Sequence, residues 1–202
     1  MTIVKGQPWG RRTPCDGPEH VAATDAEAAG LLRLHGAASG VTRMGLIGGD
    51  LCRTISGPGD AARLTSPDAM TFPIDALNVT WDGGTAVAVA HVIARKRAWG
   101  GQIVAIMNAE WLGLWDLATK GHPNDGFADV VQAELTIVER LKARKRLALG
   151  AHVPHPKISE RRMKSASFEF QTPTPVYIDG VPVGRTRHLA FATIPDAFEV
   201  VI

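Results

Sequence analysis

The sequence predicts a fold of class α/β + β, in which a small α/β segment of residues 1–64 precedes a β-rich domain of residues 65–202. Three observations predict this division. Two short apolar strands, each followed by a helical pattern, lie between His20 and Ile55. From about Phe72 onward, alternating apolar segments replace that pattern. The 21 glycines and 13 prolines of the 202-residue chain favour many turns, which suits a strand-rich structure.

The first segment is typical of the beginning of a βαβ unit. Residues 20–35, HVAATDAEAAGLLRLH, indicate a strand that turns into a helix. Thr24 or Asp25 suits the N-cap of that helix, and Glu27 suits its first turn. Residues 43–55, RMGLIGGDLCRTI, predict a second strand that ends in a Gly-Gly loop and a helical turn.

The second segment predicts strands almost throughout. Residues 72–97 predict a hairpin that turns at the sequence WDGG. Its second strand is expected to alternate through Val87, Val89, His91 and Ile93. Residues 101–115 and 126–135 predict further strands, and the alternation of residues 165–202 predicts strands to the last residue.

One amphipathic helix is predicted at residues 136–149, TIVERLKARKRLAL. Its apolar positions Ile137, Val138, Leu141 and Leu147 are expected to share one face. The helix opens a basic segment, Arg140–Lys164, in which nine Lys or Arg residues stand against one acid, Glu160. Such a segment attracts phosphates, anionic lipid surfaces or nucleic acid, and the alternative is a solvated helix face followed by a charged loop. Aromatic and basic residues do not interleave there, so no nucleic-acid partner is expected.

Composition places the chain among folded proteins, because 45% of its residues are hydrophobic. No apolar run approaches the roughly 18 residues that a membrane span needs. The first 20 residues contain no apolar stretch of signal-peptide length, so we expect a cytoplasmic protein. Cys15 and Cys52 are far apart and in no metal-binding spacing, which predicts two reduced thiols.

Two Asp-Gly pairs stand between short apolar runs, in HPNDGFADV (residues 122–130) and in YIDGVPVG (residues 177–184). An Asp-Gly pair in this setting usually marks a hairpin turn. Asp125 and Asp179 are therefore either turn residues or working carboxylates.

The order of these segments resembles the diacylglycerol kinase family, which includes bacterial lipid kinases and sphingosine kinases. The resemblance covers roughly residues 20–202 and rests on four stretches: MGLIGGDLCRTI, FPIDALNV, AIMNAEWLGLWDLATKGHPNDGFADVV and TPVYIDGVPVGRTRHLAFATIPDAFEVVI. It implies a lipid kinase or NAD kinase-like architecture, with an α/β nucleotide domain, a C-terminal β-sandwich and an active site between them. Here residues 1–64 would be a truncated remnant of the nucleotide domain.

The resemblance implies ATP as a cofactor, bound partly through a loop with the sequence GGDGT. The corresponding residues 23–27 are ATDAE, which keep Asp25 and lack the glycines that let a backbone approach phosphate. Ordinary ATP binding is therefore in doubt. The second loop keeps Gly48, Gly49 and Asp50, whose backbone N–H groups are candidates for one phosphate contact. The alternative is a strand-to-helix corner that needs glycine for its geometry.

The resemblance also implies a Mg²⁺ ion at HPNDGFADV, held by the Asp125 carboxylate and the carbonyl groups of His122 and Phe127. The alternative is a plain Asp-Gly turn. In the second pair, the family has Asp-Gly-Glu, whose Glu is implied to be the general base. Asp179 is retained here and Val181 replaces the Glu, which leaves Asp179 as the catalytic candidate.

Two functions follow from these residues. The first is a lipid kinase-like enzyme that transfers a phosphoryl group from a nucleotide to a lipid hydroxyl. The alternative is a non-catalytic relative, a pseudoenzyme, that binds a lipid or another anionic small molecule.

Three tryptophans cluster around one predicted strand and either line an apolar lipid cleft or pack in the core, namely Trp99, Trp111 and Trp115. His91 is interpreted as a half-buried core residue. Peripheral contact with a membrane surface and a homodimer are further expectations.

Overall fold

A computed structural model describes residues 8–13, 17–35, 42–151 and 155–202. Cys15 lies outside the described residues. Within those ranges there are three α-helices, α1 Asp25–His35, α2 Gly49–Thr54 and α3 Ile137–Leu147, and two 3₁₀ turns, Ala61–Thr65 and Arg97–Trp99. The strands are β1 Arg11–Arg12, β2 His20–Ala22, β3 Thr42–Leu46, β4 Met70–Trp81, β5 Gly84–Ala88, β6 His91–Ala94, β7 Gln102–Met107, β8 Trp111–Leu112, β9 Trp115–Asp116, β10 Ala128–Glu134, β11 Ile158–Met163, β12 Ser165–Ile178 and β13 Val181–Val201.

The described strands confirm a β-rich protein with one large sheet. Eleven strands are hydrogen-bonded together, along the path β1-β4-β13-β12-β6-β7-β10-β11, with β2, β3 and β5 attached beside it. The sandwich arrangement and the nucleotide-domain remnant stay predictions. The register of the β12–β13 pair shifts between Glu169 and Thr174, and that of β13–β4 shifts between Ile194 and Phe198. Such irregularities bend strands, which lets a single sheet curve around its core.

Strand β13 joins the two parts that the sequence predicted. It pairs antiparallel with β12 and β4, and its last residues pair in parallel with β3. One apolar core also spans both parts, since Ala28 and Leu51 pack in the same cluster as Ile74 and Phe198. The described parts of residues 1–64 and 65–202 therefore share a sheet and a core.

Helix α1 begins as the sequence predicts. Thr24 is its N-cap, and the Thr24 hydroxyl accepts the N–H of Glu27 at 3.2 Å. The Glu27 carboxylate accepts the N–H of Ala23 at 2.8 Å, which satisfies a second backbone donor at the helix start. Helix α3 is confirmed as well, with a capping box between Thr136 and Glu139. None of its residues is fully buried. Leu147 packs against the core, whereas Ile137, Val138 and Leu141 stay more than 60% exposed.

The hairpin at WDGG is confirmed, with Trp81 paired to Gly84. The prediction of one alternating strand from Val87 to Ile93 is wrong, because the chain leaves the sheet at Val89–Ala90 and re-enters as β6. The cause is a carboxylate that binds the backbone at this point, described below. No helix among the described residues is both long and apolar enough to cross a bilayer.

Candidate functional site

Three titratable side chains meet where α1, α2 and β6 begin. The ligand atoms of Asp25, Asp50 and His91 all lie within 4.8 Å of one another. His91 Nε2 lies 3.0 Å from Asp50 Oδ2, and the His91 ring is almost fully buried. This group, Asp25–Asp50–His91, is the centre of the candidate site.

Asp25 caps the short helix α2. Its two carboxylate oxygens accept the N–H groups of Asp50 at 2.7 Å and of Leu51 at 3.0 Å. The helix start, where an anion would bind, is thus occupied by a side chain of the protein itself. Burial raises the pKa of Asp25, although these hydrogen bonds favour its charged form.

The two glycines of the second loop allow this contact. A Cβ atom on Gly48 would lie 2.3 Å from the carbonyl oxygen of Ala23, and one on Gly49 would lie 2.5 Å from Asp25 Oδ1. Gly49 also has a left-handed φ of 91°. The geometry favours the interpretation of Gly48 and Gly49 as a strand-to-helix corner. The phosphate contact remains a prediction that nothing in this packing supports.

Asp50 connects the centre to the β8–β9 turn. Its carboxylate accepts the N–H of Gly113 at 2.9 Å in addition to facing His91 Nε2. An ionised carboxylate can only accept, so this pair places a proton on Nε2. Among the described residues, His91 Nδ1 is buried without a hydrogen-bond partner. In neutral His91, Nδ1 would then carry the free lone pair.

The pKa of His91 is raised. Burial acts to lower it, but the hydrogen bond to Asp50 and the charges of Asp179, Asp50 and Asp25 together outweigh burial. His91 is therefore a buried imidazole that is paired with the Asp50 carboxylate. The sequence interpretation as a half-buried core residue did not include this pair. No motif or spacing in the sequence marks it.

Asp179 holds the chain that carries His91. Its carboxylate accepts three backbone N–H groups, those of Val89, Ala90 and His91, at 2.9 to 3.0 Å. These bonds draw the chain out of the sheet between β5 and β6. Burial raises the pKa of Asp179 to about 6. The contacts support a positioning role for Asp179, and its catalytic role remains a prediction.

A cavity of about 490 Å³ opens beside His91. Its lining includes Arg95, Trp99, Leu112, Trp115, Arg144 and Tyr177. The Arg95 guanidinium lies 4.6 Å from the ring centre of Trp99 and 4.8 Å from that of Tyr177. We call this cavity the tryptophan cleft. It combines apolar walls with two cationic groups.

Trp99 has an unusual backbone conformation at the wall of this cleft. Ala98 and Trp99 have left-handed φ angles of 55° and 58°, which cost roughly 1 kcal/mol or more per non-glycine residue. The Arg140 guanidinium donates to the Ala98 carbonyl and helps hold this turn. Trp99 and Trp115 meet edge to face at 5.2 Å, which places two of the three tryptophans in the cleft. Trp111 instead lies under the Arg53 guanidinium, 3.5 Å from its ring centre.

The predicted Mg²⁺ turn is held together by protein groups. Asp125 Oδ1 accepts the N–H of Phe127 at 3.0 Å, and Oδ2 pairs with the Arg162 guanidinium. A cation at Asp125 would have to compete with that guanidinium, so the donor set does not fit Mg²⁺ well. His122 lies in the same turn, where its Nδ1 accepts the N–H of Asn124 at 3.2 Å. The metal role of Asp125, His122 and Phe127 remains a prediction.

Asp75, which sequence reasoning did not single out, organises this turn. The residue is fully buried. Its carboxylate accepts the N–H of Gly126 at 2.7 Å, the N–H of Asp196 at 2.9 Å and the amide of Asn124 at 3.2 Å. Burial raises its pKa. Asp75 thus ties the turn to β4 and to the irregular part of β13.

Asp129 beside this turn predicts a pH effect on stability. Burial raises its pKa to about 6, although Arg162 lies 4.0 Å away, and Glu160 and Asp125 raise it further. Because 6 exceeds the ordinary 3.8, the folded state binds this proton more tightly, and stability falls as the pH rises from about 4 to 6. We expect Asp129→Asn to raise the free energy of unfolding by about 2 kcal/mol near pH 8. Urea unfolding across that pH range measures the change.

Glu134→Gln provides the matched control, because Glu134 is an exposed acid at the end of the same strand, β10. It is expected to leave the pH profile of unfolding unchanged. An Asp129→Asn protein with the same pH slope as the Glu134→Gln protein would contradict the assignment.

The fold itself identifies the class of protein to which this one is similar, the diacylglycerol kinases. One crystal structure of a protein assigned as a diacylglycerol kinase from Bacillus anthracis str. Sterne matches with a TM-score of 0.68 and 12% identity, over 89% of this chain and 76% of that one. Another from the same organism matches with a TM-score of 0.63 and 14% identity, over 89% and 75%. No protein-family model and no curated protein matches the sequence. At this identity the likeness confirms the lipid kinase fold.

Proposed function

We propose that this lipid kinase-like protein binds a lipid with an anionic headgroup in the tryptophan cleft, and that it does so without ATP-dependent phosphoryl transfer. The observation that carries the proposal is the composition of the cleft. Trp99, Trp115 and Tyr177 offer flat apolar surfaces, while Arg95 and Arg144 offer cationic ones. An acyl chain suits the first group and a phosphate or carboxylate suits the second.

The capping contact of Asp25 supports the absence of phosphoryl transfer. A nucleotide phosphate at the start of α2 would meet the Asp25 carboxylate, which already takes the N–H groups of Asp50 and Leu51. The negative charges of a phosphate and of the Asp25 carboxylate would repel each other strongly when both contact the same helix start in a buried site. A helix of six residues also provides a weaker dipole than a long one.

Phosphoryl transfer is the second candidate, and the His91–Asp50 pair favours it. In that reaction the lipid hydroxyl oxygen bonds to the γ-phosphorus, the bond to the leaving nucleotide oxygen breaks, and the hydroxyl proton passes to a base. In its neutral form, His91 keeps its proton on Nε2 toward Asp50, and Nδ1 would accept the hydroxyl proton in place of the glutamate that is absent at Val181. The raised pKa of His91 confines this role to a pH above that pKa. A bound Mg²⁺ would supply neutralisation of the phosphate charges.

Titration with dihexanoyl phosphatidic acid, a short-chain lipid used below its micelle concentration, tests the proposal. We expect saturable quenching of tryptophan fluorescence. Arg95→Gln should weaken binding about tenfold or more, because a charge-assisted hydrogen bond is worth about 1.5 to 3 kcal/mol. The exposed Arg187 lies outside the cleft, so Arg187→Gln should bind as the wild type does.

Two outcomes would overturn the proposal. One is the absence of saturable binding, and the other is equal affinity in the Arg95→Gln and Arg187→Gln proteins. Calorimetric titration with Mg·ATP separates the two candidates, since lipid binding alone predicts no heat up to millimolar nucleotide. ATP binding together with lipid phosphorylation that is lost in His91→Gln would establish the second candidate.

A further inference from the structure

Helix α3 carries large apolar side chains that stay mostly exposed to solvent. Large apolar residues on and beside it are between 61% and 80% exposed, namely Leu114, Ile137, Val138, Leu141 and Leu149. A surface helix of a soluble protein usually turns its apolar residues toward the core. On α3, Leu147 packs against the core, whereas Ile137, Val138 and Leu141 stay more than 60% exposed. Ile137 and Leu141 also line the rim of a cavity under the helix.

The same helix is strongly basic. Four of its basic side chains are exposed, namely Lys142, Arg144, Lys145 and Arg146. None of these four makes an ion pair within the part of the chain that the structure describes. The acid in the helix, Glu139, is paired with Lys157 at 2.9 Å. Basic and apolar side chains are therefore displayed together on one exposed element.

A second cavity lies under α3, next to the tryptophan cleft. It has a volume of about 390 Å³ and runs between α3 and the sheet, past Ile103, Leu135 and Leu147. Trp99, Trp115 and Arg144 line both cavities. The cavity under the exposed helix therefore adjoins the cleft that His91 lines.

We propose that α3, together with Leu114 and Leu149, docks on the surface of an anionic lipid bilayer. The apolar side chains enter the boundary between headgroups and acyl chains, while the basic side chains pair with lipid phosphates. Docking brings the mouth of the cavity under α3 to the membrane, where a lipid can enter. The entry of a lipid rests on the proposed function, whereas the docking itself does not.

Charge selects the bilayer over a second copy of this chain. A symmetric contact through α3 would place Lys142 and Lys145 of one copy near the same residues of the other, and like charges across an interface oppose association. An anionic membrane complements both the charge and the apolar character of the surface.

Sedimentation with vesicles of phosphatidylcholine, with and without phosphatidylglycerol, tests the docking. The full chain is expected to sediment with the anionic vesicles and to be released by salt, and to remain in solution with neutral ones. Lys142→Glu/Lys145→Glu should weaken partitioning about tenfold or more. Val138→Gln should weaken it by a smaller factor.

The matched controls lie on helix α1. The Leu34 side chain is 69% exposed, which is close to the 62% of Val138. Arg33 is an exposed basic residue on α1 and matches the exposed lysines of α3. Leu34→Gln and Arg33→Glu should sediment as the wild type does. All five positions are exposed, and thermal unfolding checks that each variant remains folded.

Three results would overturn the docking surface. These are no sedimentation of the wild type at low salt, α3 variants that partition like the α1 controls, or tight binding of an oligonucleotide without binding to vesicles. Binding of the soluble dihexanoyl phosphatidic acid needs no membrane, so it tests the proposed function independently of docking. Lys142 and Lys145 line neither cavity, so their double variant should bind that lipid with wild-type affinity even when it no longer sediments.

Discussion

Asp179→Ala is expected to lower the free energy of unfolding by about 3 to 5 kcal/mol, because three buried N–H donors lose their acceptor at once. The free energy of unfolding of the Asp179→Asn protein should lie between those of Asp179→Ala and the wild type. Its amide oxygen keeps part of the contact, and asparagine tolerates the φ of 47° at this position. Denaturant unfolding measures both variants.

Asp82 offers a control of the same kind, since it also precedes a glycine in a hairpin turn. Its carboxylate accepts the N–H of Arg187 at an exposed site, so Asp82→Asn should lower the free energy of unfolding far less than Asp179→Ala does. The catalytic interpretation of Asp179 makes the opposite prediction. An Asp179→Asn protein that is as stable as the wild type but has lost a lipid kinase activity would establish that interpretation and contradict ours.

Gly48→Ala is expected to lower the free energy of unfolding by about 2 to 3 kcal/mol. The added methyl group would meet the Ala23 carbonyl at 2.3 Å, a backbone atom that cannot rotate away. The two loops that carry Asp25 and Asp50 would have to separate, which also disturbs the pair with His91. Thermal unfolding followed by circular dichroism measures the loss.

Gly30→Ala on helix α1 is the matched substitution. A Cβ atom there meets nothing within 4 Å, so alanine should stabilise the helix by roughly 0.5 to 1 kcal/mol. A phosphate site at Gly48 predicts a different pair of results. Gly48→Ala would then keep its stability and lose nucleotide affinity, which would refute the corner interpretation.

Sequence patterns were sufficient for elements whose causes are local. Thr24 and Glu27 lie three residues apart and cap α1, and the WDGG turn lies between the two strands that it joins. The break after β5 has a distant cause, because the carboxylate that produces it belongs to Asp179, 88 to 90 positions away in the chain. Alternation through Val89 therefore predicted a strand that the folded chain interrupts.

The candidate site was predictable in part for the same reason. Asp25 and Asp50 were singled out from the loops that contain them, and the structure brings them together with Asp50 N–H donating to Asp25. His91 joins them only through tertiary packing, and its position on an apolar strand carries no local mark. Asp75 was likewise hidden, since its partners in the chain lie 49 to 121 positions away.

The parallel pairing of β13 with β3 has a consequence for biosynthesis. Phe198–Val201 lies beside Thr42–Gly45, so the two partners leave the ribosome about 150 residues apart. Until β13 has been made, β2 and β3 form a two-stranded parallel unit, which is too small to be stable alone. We therefore expect α1 and β3 to reach their full stability late in translation, once β13 is available to pair with β3 and to complete the core around Asp25 and Asp50.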